Sequence, residues 1–501
     1  MSYIIEINEH SNIDDEINEK EYEHFKKIKE YMDDCPVYEQ KSKKWLENRM
    51  KFISASDAGC VLKCNKHENY YKFILKKFEQ QPMYNYQYVY NGNKYETITT
   101  MIFEYLMDVR VLEYGFIPFY DGLDKSYEFK EDTSFLGCSP DGLISEYKYD
   151  WKHKTKHFGE MLEIKNPATR NINMNINDNE EKVFKDIPYY YQQVQQQLYC
   201  CDFKKCHFFQ LKIEEYKNRK EFIEDTDINC PYKTKKGEFK GAVIQILPVR
   251  KFKHTNLKNP DKYLEQLIFA NAKFIYPPKI DMSIDEILDW KHKILNKFVP
   301  EIDENMPKEY NERLLNSYKI IPGYNFHKIF YWKASYGRDE VVNRKENWLI
   351  NNYNQYKITW DRVSKVKSNI FYELLFKKIC EFYKNKRDIK SMLKNNTLRN
   401  DIIINVKNLS NNSNYNINDN IVDDIIMYEL DKLLSININD FSVDVNNLSL
   451  KNNINYLLNT LNLSFNSLIN AIINKDTYIK DEFIEDDDFV IVDEPIINKK
   501  N

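Results

Sequence analysis

The sequence lacks long apolar runs, a secreted cysteine pattern and an excess of charge of one sign. No apolar stretch approaches 18 residues, so the sequence predicts no membrane-spanning segment. The nine cysteines do not follow a disulfide framework, which favours reduced thiols in an intracellular protein. The N-terminus is acidic and polar and predicts no signal peptide. The sequence has only 11 glycines but 38 tyrosines. Lys, Asn, Ile and Tyr are favoured throughout, which indicates an A+T-rich coding genome.

The formal net charge is −4, so overall charge does not indicate a nucleic-acid-binding protein. Any such surface would have to be local. Residues 204–258 contain 14 Lys or Arg against 7 Asp or Glu, but charge runs of this kind are usually solvated faces.

A length of 501 residues with 42% hydrophobic content allows two or three domains with real cores. The composition predicts four regions: a charged N-terminal helical extension (1–35), a core (36–300), a helical appended domain (301–400), and an Asn/Ile-rich helical or low-complexity region with an acidic tail (401–501). The tail is either a solubilising disordered end or a partner-docking segment.

Two neighbouring stretches carry the clearest chemistry. Pro140-Asp141-Gly142 reads as a turn that follows a strand. After 21 further residues, Glu163 and Lys165 lie on one face of a predicted strand, because residues two apart in a strand point the same way. Leu162 and Ile164 would face a core. Two carboxylates beside a lysine suit Mg²⁺-assisted phosphodiester hydrolysis, since carboxylates hold a hard cation and the lysine orients or activates water.

Each stretch also has an ordinary interpretation. Pro-Asp-Gly is a common hairpin turn, and a Glu/Lys pair often occupies the wet face of a half-buried strand. The order and proximity of the two stretches favour the catalytic interpretation.

A possible phosphate pocket precedes them. A helix over Tyr38–Phe52 places Trp45 and Arg49 on one face. Ser54-Ala55-Ser56-Asp57 then predicts the N-cap of a new helix. Serine hydroxyls and a nearby arginine at such a terminus suit a phosphate, although a plain Ser/Asp cap with a solvated arginine is the alternative.

The following segments predict a helical start, then a sheet. Asn91-Gly92-Asn93 predicts a break, and a helix over about 93–113 would carry Glu96 in its first turn. Five short strands are predicted between residues 116 and 165, then a polar loop over 166–187. Further strands are predicted at His207–Ile213 and Gly241–Val249, and helices at about 258–276 and 283–297.

Pro188 opens a helix of unusual composition, with tyrosines followed by glutamines. Tyr190, Gln193 and Gln197 share a face by their spacing. This stripe is too polar for a core and too uncharged for ordinary surface, so it suits contact with a water or a phosphate; low-complexity glutamine bias is the alternative.

Two weaker metal patterns are set aside. Cys60-x3-Cys64-x2-His67 lacks a second pair to complete a tetrahedral site. His153 and His157 lie in a Lys-rich segment without helical apolar spacing, which predicts an exposed loop.

Together the motifs resemble the lambda-exonuclease/YqaJ-type viral recombinase (alkaline exonuclease) branch of the PD-(D/E)xK nucleases over roughly residues 38–250. The resemblance rests on five motifs in the family's order. They are Trp45-x3-Arg49-x6-Ser56, Gly92-x3-Glu96, Ser139-Pro140-Asp141-Gly142, Glu163-Ile164-Lys165-Asn166-Pro167 and Tyr190-x2-Gln193-Val194-Gln195-x-Gln197-Leu198.

The resemblance implies an α/β fold: a restriction-endonuclease-like core, with a central mixed sheet flanked by helices and a mostly helical C-terminal region. It also implies a metal site that binds two Mg²⁺ ions, with Mn²⁺ as a substitute. The implied metal ligands are Glu96, Asp141, Glu163 and the Ile164 carbonyl. Lys165 would orient or deprotonate the attacking water, and Gln193 would lie by the scissile phosphate. The implied 5′-phosphate and DNA contacts are Arg49, Ser56, Ser139, Tyr190 and Gln197.

The resulting expectation is a Mg²⁺-dependent 5′→3′ double-strand DNA exonuclease for recombination or end processing. A structure-specific endonuclease on the same core and a non-catalytic DNA-binding or scaffold protein remain as alternatives. Expected partners are double-stranded DNA ends and a single-strand annealing or recombinase protein, with homo-oligomerisation possible and no membrane partner. The expected location is intracellular: for a viral protein, the host cytoplasm or nucleus where viral DNA replicates.

Overall fold

The computed structural model describes residues 5–6, 19–38, 42–78, 86–122, 125–175, 178–252, 257, 260–383 and 421–435. They form two compact units, one within residues 1–68 and 80–357 and the other within 69–79 and 358–501. The predicted acidic tail lies outside the described residues.

Helices and strands alternate irregularly along the chain. The strands are β1 Ile5–Glu6, β2 Ile53–Ser54, β3 Val111–Leu112, β4 Ile117–Pro118, β5 Leu136–Cys138, β6 Gly142–Ile144, β7 Met161–Lys165, β8 Lys205–Glu215, β9 Lys240–Pro248, β10 Lys273–Ile275 and β11 Tyr324–Asn343. The helices are α1 Glu19–Asp34, α2 Lys43–Arg49, α3 Ala58–Val61, α4 Tyr70–Lys76, α5 Tyr86–Met107, α6 Glu180–Phe184, α7 Pro188–Cys200, α8 Arg219–Glu224, α9 Val249–Phe252, α10 Lys262–Asn271, α11 Ile284–Leu295, α12 Lys308–Asn316, α13 Trp348–Lys367, α14 Ile370–Tyr383 and α15 Ile421–Leu434.

The larger unit is built on a mixed sheet in the order β10-β9-β11-β8-β7-β6-β3, with β1 added to β11. β7 and β8 run parallel, whereas the β6–β7 and β8–β11 pairs are antiparallel. A second, smaller sheet has three strands in the order β2-β5-β4. The predicted α/β class with a central mixed sheet and flanking helices is therefore confirmed.

β7 is covered on both faces. Leu162 and Ile164 are buried in one hydrophobic cluster with Ile98 and Ile102 of α5. Glu163 points the other way and bonds with side chains of α7. The predicted alternation along this strand is correct, and it places the polar pair under α7.

The largest departure from the sequence analysis is β11, which lies in a region predicted to be helical. This 20-residue strand pairs with β9 through its first half and with β8 through its second half. Its sequence is rich in aromatic and β-branched residues, which suit a strand packed on both sides. The sheet therefore needs residues well beyond position 300.

The predicted break at Asn91-Gly92-Asn93 is also wrong. α5 begins at Tyr86 and runs through this tripeptide, because residues on either side of it, Tyr90 and Tyr95, are buried. The helix stops at Met107, where Asp108 adopts φ +52°, and the chain continues into β3. Glu96 therefore lies in the middle of α5 and not in its first turn.

Smaller differences concern short elements. One of the five strands predicted between residues 116 and 165 was Tyr127–Lys130, and this segment forms no strand. The predicted loop at 166–187 contains α6. The helix predicted over 258–276 is α10 followed by β10.

The smaller unit is helical in its described part. The Asp423 carboxylate of α15 accepts hydrogen bonds from the Asn69 side chain (3.1 Å) and from the Tyr71 backbone (3.2 Å) at the start of α4. Arg362 pairs with Asp431 at 2.6 Å. None of the helices in the described part of the chain combines the length and apolar content that crossing a membrane requires.

Candidate active site

Asp141 lies in the turn between β5 and β6, next to the middle of β7. β6 pairs with β7 through Gly142 and Leu162, and the Ile164 backbone N–H donates to Asp141 Oδ2 at 2.7 Å. Gly142 is required by close approach, since a Cβ there would lie 2.2 Å from Val111 Cγ1. The turn therefore holds the Asp141 carboxylate against β7.

Glu163 is the most enclosed acid of the site, at 1% exposed. Gln193 Nε2 donates to its Oε1 at 2.6 Å, and Gln197 Nε2 donates to its Oε2 at 2.7 Å. Lys165 also donates to Oε1. These donors hold both oxygens of the carboxylate in place.

Lys165 sits between the acids and an aromatic ring. Its ammonium lies 5.0 Å from the ring centroid of Tyr190 on α7. Burial lowers the pKa of Lys165, but the carboxylates of Glu163 and Asp141 outweigh burial and raise it above its usual value. The side chain is one-fifth exposed, so its tip reaches the surface of the site.

Glu96 approaches the same group of charges from α5. Burial, followed by the charge of Glu113, raises the pKa of Glu96 to about 7, and Lys165 acts in the opposite direction. Glu113 is an acid that the sequence motifs did not indicate. It follows β3, a strand that the sequence analysis had read as the end of a helix.

The arrangement has more buried negative charge than its one lysine balances. Burial and the neighbouring Glu163 and Glu96 raise the pKa of Asp141 well above its usual value. In addition, the buried Gln197 Oε1 has no hydrogen-bond partner among the described residues. These three carboxylates, with Lys165 alone beside them, fit a divalent cation that prefers oxygen ligands.

The predicted phosphate pocket forms a separate polar cluster. Arg49 of α2 donates to Ser54 Oγ at 3.4 Å and to Ser56 Oγ at 3.1 Å, and its guanidinium lies 4.8 Å from the Trp45 ring. The Ser54 backbone N–H and hydroxyl both donate to Asp57 Oδ2, which completes the predicted cap. Ser56 is exposed, as a ligand contact requires.

α7 links this pocket to the acids. Gly59 of α3 packs directly on α7, because a Cβ at this position would lie 2.4 Å from Tyr189 Cβ. Gln196 Nε2 donates to the carbonyls of Ile53 (3.0 Å) and Gly137 (3.1 Å). The pairing of β2 with β5 is thereby tied to the helix that bonds Glu163.

The glutamine stripe on α7 is mostly a set of buried connections. Gln197 is fully buried and bonds Glu163 and the Ser139 carbonyl (3.4 Å), so its amide group is directed at protein groups, and its contact with DNA stays a prediction. The exposed part of Ser139 and the half-buried Tyr190 remain accessible. The unusual polarity of the stripe indicated hydrogen bonding, but only the fold shows that the partners are protein groups.

Of the two weaker metal patterns, one needs correction. His153 is exposed, as predicted, and pairs with Asp150. His157 is instead half-buried and bonds Glu160, which also contacts His207. The sequence offered no signal for this contact, because His207 lies 50 residues further along the chain.

The sequence matches a known family over the segment that builds this site. Residues 44–204 match the model of the YqaJ-like viral recombinase domain, and all five motifs lie within this match. This segment of the chain is therefore similar to the YqaJ-like viral recombinase domain. The resemblance identified from the motifs is confirmed.

Individual relatives cover parts of the chain. The uncharacterized protein R354 of Acanthamoeba polyphaga mimivirus is 30% identical over 305 residues, which are 60% of this chain and 48% of the relative. The chain thus spans about half the length of this relative. A crystal structure of the alkaline exonuclease LHK-Exo from Laribacter hongkongensis is 21% identical and covers 34% of this chain and 74% of its own, with a TM-score of 0.24. The LHK-Exo complex with dAMP is 20% identical and covers 34% and 73%, with a TM-score of 0.24.

Proposed function

We propose that the YqaJ-like domain is a metal-dependent deoxyribonuclease, a 5′→3′ exonuclease that acts on ends of double-stranded DNA and leaves single-stranded tails for recombination or end processing. The observation that carries this proposal is the convergence of Asp141, Glu163 and Lys165 at the β6–β7 pair, beside the glutamines of α7. In phosphodiester hydrolysis the two carboxylates would hold a cation and the lysine would orient the attacking water.

Glu96, Asp141 and Glu163, with the Ile164 carbonyl, would hold Mg²⁺ or Mn²⁺, in one or two ions. A bound divalent cation would stabilise the charge that develops on the attacking and leaving oxygens of an in-line displacement. The high pKa of Asp141 and Glu96 supports this assignment, because both carboxyls lack a sufficient counter-charge in the protein alone.

The side chains of the chain itself would position the reactants. Gln193 and Gln197 bond opposite oxygens of Glu163 and fix its orientation. Because its pKa is raised, Lys165 carries a proton at neutral pH and donates a hydrogen bond to the attacking water or to the phosphate.

The cluster of Arg49, Ser54 and Ser56 would bind the 5′-phosphate of the strand being shortened. The Arg49 guanidinium and the exposed Ser56 hydroxyl offer a charged and a neutral donor to a phosphate. The buried Ser54 donates to Asp57 and accepts from Arg49, which holds the arginine in place. α7 connects this cluster to the acids, so the position of the end would be fixed relative to the site of cleavage. Ser139 and Tyr190 would contact the same strand.

The test is degradation of end-labelled linear duplex DNA that carries either a 5′-phosphate or a 5′-hydroxyl, with Mg²⁺ or with EDTA. We expect metal-dependent loss of one strand, faster with the 5′-phosphate. Asp141→Asn and Lys165→Ala should each lower the rate at least about 100-fold, and the exposed Asp150→Asn should not. Unchanged rates in the Asp141 and Lys165 variants would refute the assignment.

Two further arms separate the alternatives. Arg49→Ala should remove the preference for a 5′-phosphate while cleavage of the 5′-hydroxyl substrate persists; an unchanged preference would discard the pocket. Cleavage of covalently closed circular DNA would favour the endonuclease, and binding without any cleavage would favour the scaffold protein.

The mimivirus relative supports a viral origin for this chain, with action inside the host cell where viral DNA replicates. A single-strand annealing protein is the expected partner, because a resected duplex exposes the substrate of such a protein. Co-purification with tagged chain from infected cells tests this partner.

A further inference from the structure

A second cluster of potential ligands lies at the opposite end of β7 from Lys165. It consists of His157 and Glu160, which precede β7, and His207 on β8; we call these three residues the His–Glu cluster. Their ligand atoms all lie within 4.8 Å of one another. None of them belongs to the five motifs or to the proposed nuclease site.

One carboxylate oxygen faces both imidazoles. Glu160 Oε2 lies 2.7 Å from His157 Nδ1 and 3.1 Å from His207 Nε2. In a tetrahedral zinc site with bonds of roughly 2.0–2.1 Å, neighbouring ligand atoms are about 3.4 Å apart. The separation between Glu160 and His207 is close to this value, whereas the 2.7 Å between Glu160 and His157 is shorter and would lengthen on binding an ion. The two imidazole nitrogens lie within 4.8 Å of each other.

Neighbouring charged side chains fix the orientation of His207 and Glu160, as commonly happens for the ligands of a metal ion. His207 Nδ1 bonds Asp339 Oδ2 of β11 at 2.7 Å, which leaves Nε2 directed at Glu160. A carboxylate on the far nitrogen of a ligating histidine fixes the ring and raises its basicity. Lys205 lies 3.5 Å from the other oxygen of Glu160, so Oε2 is the oxygen left for the cluster.

The electrostatic environment favours a cation between these groups. The buried His207 ring lies between two carboxylates, with Asp339 at Nδ1 and Glu160 at Nε2. Asp339 is 2% exposed, and its Oδ1 has no hydrogen-bond partner among the described residues. A metal ion would lie where a proton otherwise bridges His207 Nε2 and Glu160 Oε2, and the bond from Nδ1 to Asp339 would be kept.

We propose that the His–Glu cluster is a zinc site, with His157 Nδ1, Glu160 Oε2 and His207 Nε2 as ligands and Asp339 as the residue that orients His207. Two imidazoles and a carboxylate form a ligand set typical of Zn²⁺, whereas Mg²⁺ and Ca²⁺ prefer oxygen. The ion would tie the segment before β7 to β8 and, through Asp339, to β11. It is distinct from the cation of the nuclease site in both position and ligand chemistry.

The experiment is Co²⁺ titration of the chelator-treated full-length chain, because Co²⁺ reports its ligands by absorption. We expect one equivalent with visible d–d bands and no near-ultraviolet thiolate band, which excludes the nine cysteines as ligands. Zn²⁺ should displace Co²⁺ and raise the melting temperature. An Asp141→Asn background removes the contribution of the nuclease site.

Two histidines of the same segment provide a matched pair. His157→Gln keeps a hydrogen-bonding side chain next to Glu160 and should abolish the Co²⁺ spectrum and the Zn²⁺-dependent rise in melting temperature. His153→Gln changes an exposed residue and should preserve both. Asp339→Asn should weaken affinity roughly 10–100-fold without removing the site.

The proposal is overturned if the His157 and His153 variants bind Co²⁺ alike, if the spectrum shows thiolate ligands, or if the folded wild-type chain binds none. The last result would identify the cluster as an ion-pair network. Circular dichroism of each variant shows whether lost binding reflects lost folding, and the His207→Gln variant repeats the test at a second ligand.

Discussion

At the residue scale, the carboxyls of the nuclease site determine how the metal-free protein responds to pH. Burial and the charges of Glu113 and Glu163 raise the pKa of Glu96 from 4.5 to about 7. A carboxyl whose pKa is raised by folding contributes stability that is complete below its unfolded pKa and is lost as pH rises through its folded pKa. For Glu96 this loss falls between about pH 4.5 and 7.

We therefore predict that Glu96→Gln stabilises the metal-free chain at pH 8, by up to about 3 kcal/mol, and has little effect at pH 4.5. The amide keeps the shape of the side chain without its charge. Thermal denaturation in EDTA across this range measures the difference. With Mg²⁺ at pH 8, the wild-type chain should be more stable than the Glu96→Gln variant, because only the carboxylate binds the ion. Equal stability of the two proteins at all pH values would contradict the prediction.

Residue types and local spacing were enough to predict the acids and the lysine. Asp141 follows a Pro in a recognisable turn, and Glu163 and Lys165 are two apart in a strand, so their common face follows from strand geometry alone. Glu113 and the partners of His157 could not be predicted in this way. Their neighbours are distant in sequence, and no local pattern records a contact made by the tertiary fold.

At the element scale, α7 joins the smaller sheet to the active site through buried amides. Gln196 bonds the Ile53 and Gly137 carbonyls and accepts from the Tyr356 hydroxyl at 2.9 Å. Gln192, one turn earlier and only half-buried, accepts a single bond from the Trp348 indole at 2.7 Å. Gln196 therefore forms hydrogen bonds with three buried groups, and Gln192 forms one.

We predict that Gln196→Ala lowers the free energy of unfolding by about 2–4 kcal/mol, since it leaves buried carbonyls unpaired and creates a cavity. Gln192→Ala should cost about 1 kcal/mol, because one bond at a half-buried site is lost. Urea denaturation of the two variants measures both values. Equal losses would show that Gln196 does not connect the sheet to α7.

The segment after β7 is held by a buried arginine on β11. Arg338 donates to the backbone carbonyls of Asn173 (3.2 Å), Asn175 (2.8 Å) and Asp178 (3.2 Å), and to Glu340 Oε2 at 2.7 Å. One side chain thus contacts three backbone carbonyls of the segment that follows Lys165.

We predict that Arg338→Met destabilises the chain by about 3–5 kcal/mol, because it leaves Glu340 buried without its counter-charge. It should also accelerate proteolytic cleavage within residues 166–187. The double variant Arg338→Met/Glu340→Met should recover most of the stability but not the protection from protease. Recovery of both would mean that the carbonyl contacts do not hold the segment.

At the scale of the whole molecule, β11 carries the larger unit well beyond residue 300. It lies between β8 and β9, and α13 begins only a few residues after it. Without β11, two long strands would each expose an unpaired edge. Sequence reasoning stopped the core at residue 300, because aromatic residues suit buried strands and buried helices alike and the family motifs end earlier.

We predict that a chain ending at residue 300 does not form the cooperative structure of the full-length chain. Far-ultraviolet circular dichroism during heating should show a broad transition, and size-exclusion chromatography should show aggregates, because the edges of β8 and β9 are exposed. A sharp transition at the melting temperature of the full-length chain would place β11 outside the structural core.

The position of β11 also has a consequence for biosynthesis. The strand that carries Glu163 is complete long before the ribosome has added residues 324–343, and β8 has no β11 to pair with during that interval. About 130 residues separate the ends of β8 and β11, which takes on the order of 10 s at roughly 5–20 residues per second. A nascent chain that already contains all five motifs therefore lacks the strand that joins β8 to β9, and both strands keep an unpaired edge until residues 324–343 have been made.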